Sequence, residues 1–416
     1  MRPTATTTAF IGVLCEYARK KRAFSASEPE KSSVPALRLS LAACTRIMRS
    51  PLVEGRPVSS IHISRPALEI RAGSLALAHI RERGLNPEDV AILPGAAGGP
   101  KALGIQGLDL ALFGDWLPRA PRIRTLIGAS IGSWRFASAC LPDPVAGFRR
   151  LGELYTSLRF GRKTSIAEVT RSCREMLEAL LQDQDDAILD NAHYRLTVMV
   201  VRSQGLLAGE RRLQVALGLT SVIASNLLSR RRLAGHFERI VMHDPRQAPP
   251  LGELSDFPSR CIPMDRLNLR AALLASGSIP LVMEGIRDIP GVGPGTYRDG
   301  GLLDYHLDLP YQEPGLVLYP HFTHRVIPGW FDKSMPWRKA DQQRLSRVVL
   351  LSPSAEYLDG LPHGKLPDRT DFKRYLGNDE GRARYWRQAM AESQRLGDEF
   401  LDLVENGKLS ERLKPL

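Results

Sequence analysis

The sequence predicts an α/β protein, a three-layer α/β/α arrangement around a mostly parallel central sheet. Two observations predict it. Short, nearly all-apolar runs recur at residues 90–93, 124–127, 196–201, 239–242, 316–319 and 348–351, with helical patterns between them. Strands without polar alternation are covered on both faces, as the strands of parallel sheets are. The chain also has the material for such a core: 416 residues, 43% of them hydrophobic and 25% charged.

Taken in order, residues 74–82 have helical spacing and stop near Gly84. Asn86-Pro87-Glu88-Asp89 is turn chemistry, and Val90-Ala91-Ile92-Leu93 is a strand that runs into a glycine-rich turn. Residues 107–116 read as a helix. Arg124-Thr125-Leu126-Ile127 is the next strand, followed by a sharp turn and a helical pattern from Ile131. Residues 286–299 contain Pro290-Gly291 and Pro294-Gly295 and read as a hairpin-like excursion. Residues 379–405 form a charged, helix-favouring stretch. The expected division is a basic extension or start-site artefact over 1–47, a domain entry over 48–90 and a catalytic domain over 91–312. Strands and a charged helix packed on that domain then occupy 313–416.

Bulk properties exclude several classes. The net charge is +12, but residues 1–50 hold nine Lys and Arg against three Glu, so the excess is local. No helix-turn-helix, aromatic–basic RNA signature or zinc finger appears, so nucleic acid is not an expected partner. The five cysteines are scattered without a CxxC pair, which suits a reducing, cytoplasmic setting and argues against a disulfide scaffold. No apolar run reaches the roughly 18–20 residues of a membrane span. The longest, residues 215–228, is interrupted by Gly218, Ser221, Ser225 and Asn226 and reads as a buried or interfacial helix. Arg230-Arg231-Arg232 follows it. Those cations suit contact with anionic head groups, or equally the carbonyl end of a core helix.

Gly128-Ala129-Ser130-Ile131-Gly132 fits G-x-S-x-G, and it sits where a nucleophile must sit, between a strand and a helix. The tight turn projects the serine hydroxyl outward. Gly128 and Gly132, two residues either side, remove side chains that would block strand–helix approach. Acyl transfer also needs N–H donors for the carbonyl oxygen. The turn Gly95-Ala96-Ala97-Gly98-Gly99-Pro100-Lys101-Ala102-Leu103-Gly104 offers Gly98 and Gly99, to which Ile131 adds the N–H after the nucleophile. Pro100 has no N–H to give. Lys101 suits either an anionic head group or a carboxylate that fixes the loop. Neither a phosphate-binding loop nor a dinucleotide fingerprint is present.

A serine needs a base. His306, His321 and His324 are available for a triad, but Tyr297-Arg298-Asp299-Gly300-Gly301 places an acid beside two glycines. Asp299, Asp304, His306 and Asp308 alternate along an extended segment and would be split between its faces, which speaks against a metal site.

Four elements in this order resemble the patatin-like phospholipase family over roughly residues 91–312. They are the glycine-rich turn, the serine elbow, Ala275-Ser276-Gly277-Ser278-Ile279-Pro280, and Asp299-Gly300-Gly301. The resemblance implies a Ser130–Asp299 dyad without a catalytic histidine, and no cofactor or metal. It implies a lipid acyl ester, specifically a phospholipid, as substrate, with peripheral membrane contact. An acyltransferase or general carboxylesterase on the same dyad, or a non-catalytic lipid-binding module, are the alternatives. The sequence departs from the family pattern at Ala97 and Ala102, which replace the first and last glycines of the oxyanion turn. Alanine serves there if its φ stays negative. The segment 302–308 also replaces one that holds asparagine in plant members.

Overall fold

The computed structural model describes residues 66–416; the extension expected over 1–47 lies outside them. Strand β1 (Leu68–Ala72) and helix α1 (Ser74–Arg83) lead to β2 (Val90–Gly95), the glycine-rich turn and α2 (Gln106–Ala111). Next come β3 (Arg124–Ala129), α3 (Ile131–Ala139), α4 (Pro144–Ser157), α5 (Ile166–Leu181) and the short α6 (Asp185–Leu189). Strand β4 (Tyr194–Ser203), α7 (Arg212–Leu228), β5 (Phe237–His243), β6 (Ser259–Pro263) and α8 (Leu269–Ser276) follow. A hairpin of β7 (Ile286–Arg287) and β8 (Thr296–Asp299) precedes β9 (Leu316–Pro320) and β10 (Val348–Pro353). The chain ends with α9 (Ala355–Gly360), α10 (Asp371–Arg374), α11 (Asp379–Glu392), α12 (Gln394–Glu405) and β11 (Leu413–Pro415).

These strands make one mixed, mostly parallel sheet of eleven, in the order β11-β1-β10-β9-β2-β3-β4-β5-β6, with the hairpin joined to β4. Every residue of β2, β3, β9 and β10 is buried. Side chains on both faces are therefore covered, and the α/β sandwich expected from the apolar runs is the one observed.

Local signals explain several helices. The Asp143 carboxylate caps α4 by accepting the Ala146 N–H at 2.9 Å, with Pro144 at the first helical position. Ser165 and Glu168 cap α5 reciprocally.

The strands expected at 316–319 and 348–351 join the interior of the sheet: β9 pairs with β2 and β10 with β9. One expectation needs correction. The charged stretch 379–405 is two helices, broken at the buried Ser393. Ser393 Oγ accepts the Gly107 N–H at 2.8 Å, and a Cβ at Gly107 would stand 2.2 Å from the Ser393 carbonyl oxygen. The break lets α2 approach closer than any side chain would allow.

Strand β4 positions the site. Its first half pairs in parallel with β3 up to Ala129↔Met199. The same edge then pairs antiparallel with β8, starting at Val200↔Asp299. Strands β3 and β8 thus run head to head along one edge of β4, and their C-terminal ends meet. Ser130 and Asp299, 169 residues apart in the chain, become neighbours through the hydrogen-bond register of one strand.

The segment after β8 is held by a buried ion pair. Arg239 of β5 donates two 2.7 Å hydrogen bonds to the Asp304 carboxylate. Asp304→Asn is expected to cost about 3–5 kcal/mol, because it leaves the Arg239 charge buried with half its compensation. Chemical denaturation will read the shift in midpoint.

Candidate active site

Ser130 sits between β3 and α3 at φ 56° and ψ −129°, a conformation that costs a non-glycine residue about 1–3 kcal/mol. The surrounding packing enforces it. A Cβ at Gly132 would lie 1.9 Å from the Gly95 carbonyl oxygen, and one at Gly128 would lie 2.5 Å from the Ser133 backbone nitrogen. Both glycines therefore do what the G-x-S-x-G pattern predicts: they let α3 start against the ends of β2 and β3.

The Ser130 hydroxyl donates to Asp299 Oδ2 at 2.7 Å. Asp299 Oδ1 accepts the Gly301 N–H at 2.7 Å, and the Asp299 N–H donates to the Ser278 carbonyl at 3.1 Å. Both side chains of the pair are buried. Burial raises the Asp299 pKa above the ordinary 3.8; the Ser130 and Gly301 hydrogen bonds and the charges of Arg369 and Lys333 oppose that shift without cancelling it. The raised value brings the carboxylate closer to what a base working near neutrality needs. Gly300 and Gly301 matter through close approach. A Cβ at Gly300 would fall 2.2 Å from the Met199 carbonyl oxygen, and one at Gly301 would fall 2.6 Å from the Ala97 Cβ.

Ser276 ties the elbow to the sheet, a role the motif Ala275-Ser276 did not disclose. Its hydroxyl donates to the Met199 carbonyl at 2.7 Å and accepts the Ser130 N–H at 2.9 Å. Ser133 Oγ lies 3.0 Å away and completes the cluster. The stretch 275–280 thus reaches both members of the dyad, through Ser276 to Ser130 and through Ser278 to Asp299.

Gly99 and Ile131 border the same cavity as Ser130, and their N–H groups have no acceptor among the described residues. Gly99 has φ +58°, which favours glycine. Gly98 does not border this cavity, and a Cβ there would meet the Phe322 ring at 2.4 Å. Ala97 and Ala102 are not among the residues with positive φ, so alanine is unstrained at both positions.

The cavity is about 410 Å³ and mostly apolar, walled by Trp134, Leu158, Phe160, Val169, Met176 and Met283. That volume is within the range of small-molecule sites. Arg369 borders it and also borders the small space on the far side, beside Asp299, Gly301 and Tyr305. Lys333 Nζ sits 4.0 Å from the Tyr305 ring centroid, and Lys101 Nζ sits 4.8 Å from that of Phe322. Burial together with the charges of Arg369 and Lys101 pushes Lys333 down to about 7. Lys101 is lowered too, first by burial. None of the three forms an ion pair among the described residues. Lys101, expected as a head-group contact, does not wall either space, whereas Arg369 walls both. Nothing in Pro367-Asp368-Arg369-Thr370 distinguishes that arginine from an ordinary turn residue.

No histidine pairs with Ser130 or Asp299 among the described residues. His306 Nδ1 lies 3.0 Å from the Arg325 carbonyl oxygen, and its ring packs 4.3 Å from that of His321. Burial holds both imidazoles in the neutral form, with His321 down to about 3. The carboxylates near Asp299 are dispersed: Asp304 serves Arg239, and Asp308 accepts the Asp341 N–H at 3.2 Å. Among known proteins, no family model matches the chain and no curated protein matches it.

Ser276→Ala orphans the Ser130 N–H and the Met199 carbonyl. It is expected to cost about 1–3 kcal/mol of stability and to lower kcat by loosening the elbow. Denaturation midpoints and steady-state kinetics on one ester will show both effects.

Proposed function

We propose that this protein is a serine hydrolase of lipid acyl esters that works through a Ser130–Asp299 dyad. The observation that carries the proposal is the 2.7 Å hydrogen bond from the strained Ser130 hydroxyl to a buried carboxylate, opening on an apolar cavity. In the reaction, Ser130 Oγ attacks the ester carbonyl carbon while Asp299 Oδ2 takes the hydroxyl proton. The carbonyl oxygen, now negative, is received by the N–H groups of Gly99 and Ile131. Collapse of the tetrahedral intermediate breaks the bond to the alkoxy oxygen, and Asp299 returns the proton to that leaving alcohol. Water then attacks the acyl carbon while Asp299 takes one of its protons; the bond to Ser130 Oγ breaks, Asp299 returns the proton to Ser130, and the fatty acid leaves.

The cavity accounts for the acyl part of the substrate. Each methylene buried there contributes about 0.8 kcal/mol, so long chains bind far better than short ones until the cavity is full. Arg369, which borders both spaces, favours an anionic neighbour of the scissile ester, with Lys333 near Tyr305 adding to the field. A phospholipid, the substrate implied by the resemblance to patatin-like phospholipases, has such a phosphate. The lipid-binding module is the weaker reading, since binding alone needs neither a strained serine nor its bond to a desolvated acid.

A phosphonate probe is expected to label the wild type and to fail with Ser130→Ala. Asp299→Asn is expected to lower kcat/KM by about 10²–10⁴. Retained ester hydrolysis in Ser130→Ala would remove the proposal. The active form also needs Asp299 ionised, so activity rises as pH rises through its pKa. Because that pKa is raised, the acid limb of kcat/KM is expected above the ordinary 3.8, and it vanishes from the residual activity of Asp299→Asn.

A further inference from the structure

Helix α7 presents to solvent what most helices hide. Leu213 and Leu228 are 74% and 71% exposed, and Leu217 and Leu227 are each 54% exposed. No charged residue occurs from Leu213 to Ser229. The inward side is formed by Val215, Gly218, Val222 and Asn226, which are buried. A surface helix of this length ordinarily puts charges outward, so this outer face is built to meet something apolar.

The charges stand at the ends instead. Arg211 and Arg212 are exposed at the start of the helix, and Arg231 and Arg232 are exposed after it. Among the described residues none of these four makes an ion pair. The helix dipole accounts for the second pair and opposes the first, because cations at a helix N-terminus are unfavourable. A cost within the fold at Arg211 and Arg212 suggests a gain outside it. The face also adjoins the mouth of the acyl cavity. Glu210, next to Arg211, accepts the Gly285 N–H at 3.1 Å. Leu281 packs in one cluster with Leu219 and Ile223 of α7, and its neighbour Val282 lines the cavity.

We infer that α7 docks on an anionic lipid surface, lying in its plane with the four leucines among the acyl chains and the terminal arginines on the head groups. A second copy of the chain fits the face poorly. Two-fold pairing of α7 in either orientation sets one arginine pair against another. The choice of a lipid surface rests on the acyl-ester reading of the adjoining cavity.

The test uses the full chain with Ser130→Ala, so that vesicles survive, floated with phosphatidylcholine vesicles or with vesicles of phosphatidylcholine and phosphatidylglycerol in equal parts. Binding to the mixed vesicles is expected to exceed binding to phosphatidylcholine at least tenfold. Adding Leu213→Gln and Leu228→Gln is expected to lower it at least tenfold, and neutralising the four arginines to glutamine is expected to abolish the preference for phosphatidylglycerol. Leu228→Trp is expected to show a blue-shifted emission on the mixed vesicles only. Absence of binding, or binding unchanged by both sets of substitutions, overturns the inference. So does a concentration-dependent dimer in sedimentation that Leu213→Gln with Leu228→Gln dissolves. Hydrolysis of a soluble short-chain ester by the leucine variant with Ser130 intact is expected to match wild type. Failure of docking and failure of the hydrolase proposal are therefore read separately.

Discussion

One constraint organises the site: a carboxylate removed from water must be held there by few partners. Asp299 has no basic side chain bonded to it. Its compensation is the Ser130 hydroxyl, the Gly301 N–H, and the more distant charges of Arg369 and Lys333. Direct pairing with an arginine would stabilise the anion and weaken it as a base. Fewer donors would leave it protonated. The observed set lies between these extremes, and it exists only because β3 and β8 end against each other on β4.

The same junction explains why small residues crowd here. Where two strand ends, a helix start and a glycine-rich turn converge, backbone touches backbone, and Gly132 and Gly300 stand where a Cβ would strike a carbonyl oxygen. The strain of Ser130 is sustained by this packing and by the Ser276 clamp. Among the described residues the cations around the dyad have no ion-pair partner, and burial followed by the charges of Arg369 and Lys101 depresses the Lys333 pKa. The basic ends of α7 and the apolar cavity beside it carry the same character outward to the surface.

Much of this was legible in the chain. The apolar runs announced an α/β sheet because strands buried on both faces lose their polar alternation. Ser130 and Asp299 were legible because elbows and acid–glycine turns need fixed neighbours at fixed spacing. Strand β6 was not, since its half-exposed Ser259-Arg260-Cys261-Ile262-Pro263 has no apolar run to notice. Strand β11, three residues long, was equally silent. The break at Ser393 was hidden because its cause is a contact with Gly107, 286 residues away.

The layer architecture, the serine at a strand–helix turn, the acid beside two glycines and the glycines that make room for them are all legible in the chain, since each depends on local periodicity or on a short, sterically exacting motif. That Gly99 rather than Gly98 borders the cavity, that Ser276 clamps the elbow, and that Arg369 rather than Lys101 lies beside Ser130 and Asp299 emerge from the tertiary structure alone. Pairing likewise placed β9 and β10 in the interior of the sheet, with β9 beside β2. The reason is common to all four: register along β4 and packing between distant segments set these relations, and neither leaves a trace in the spacing of neighbouring residues.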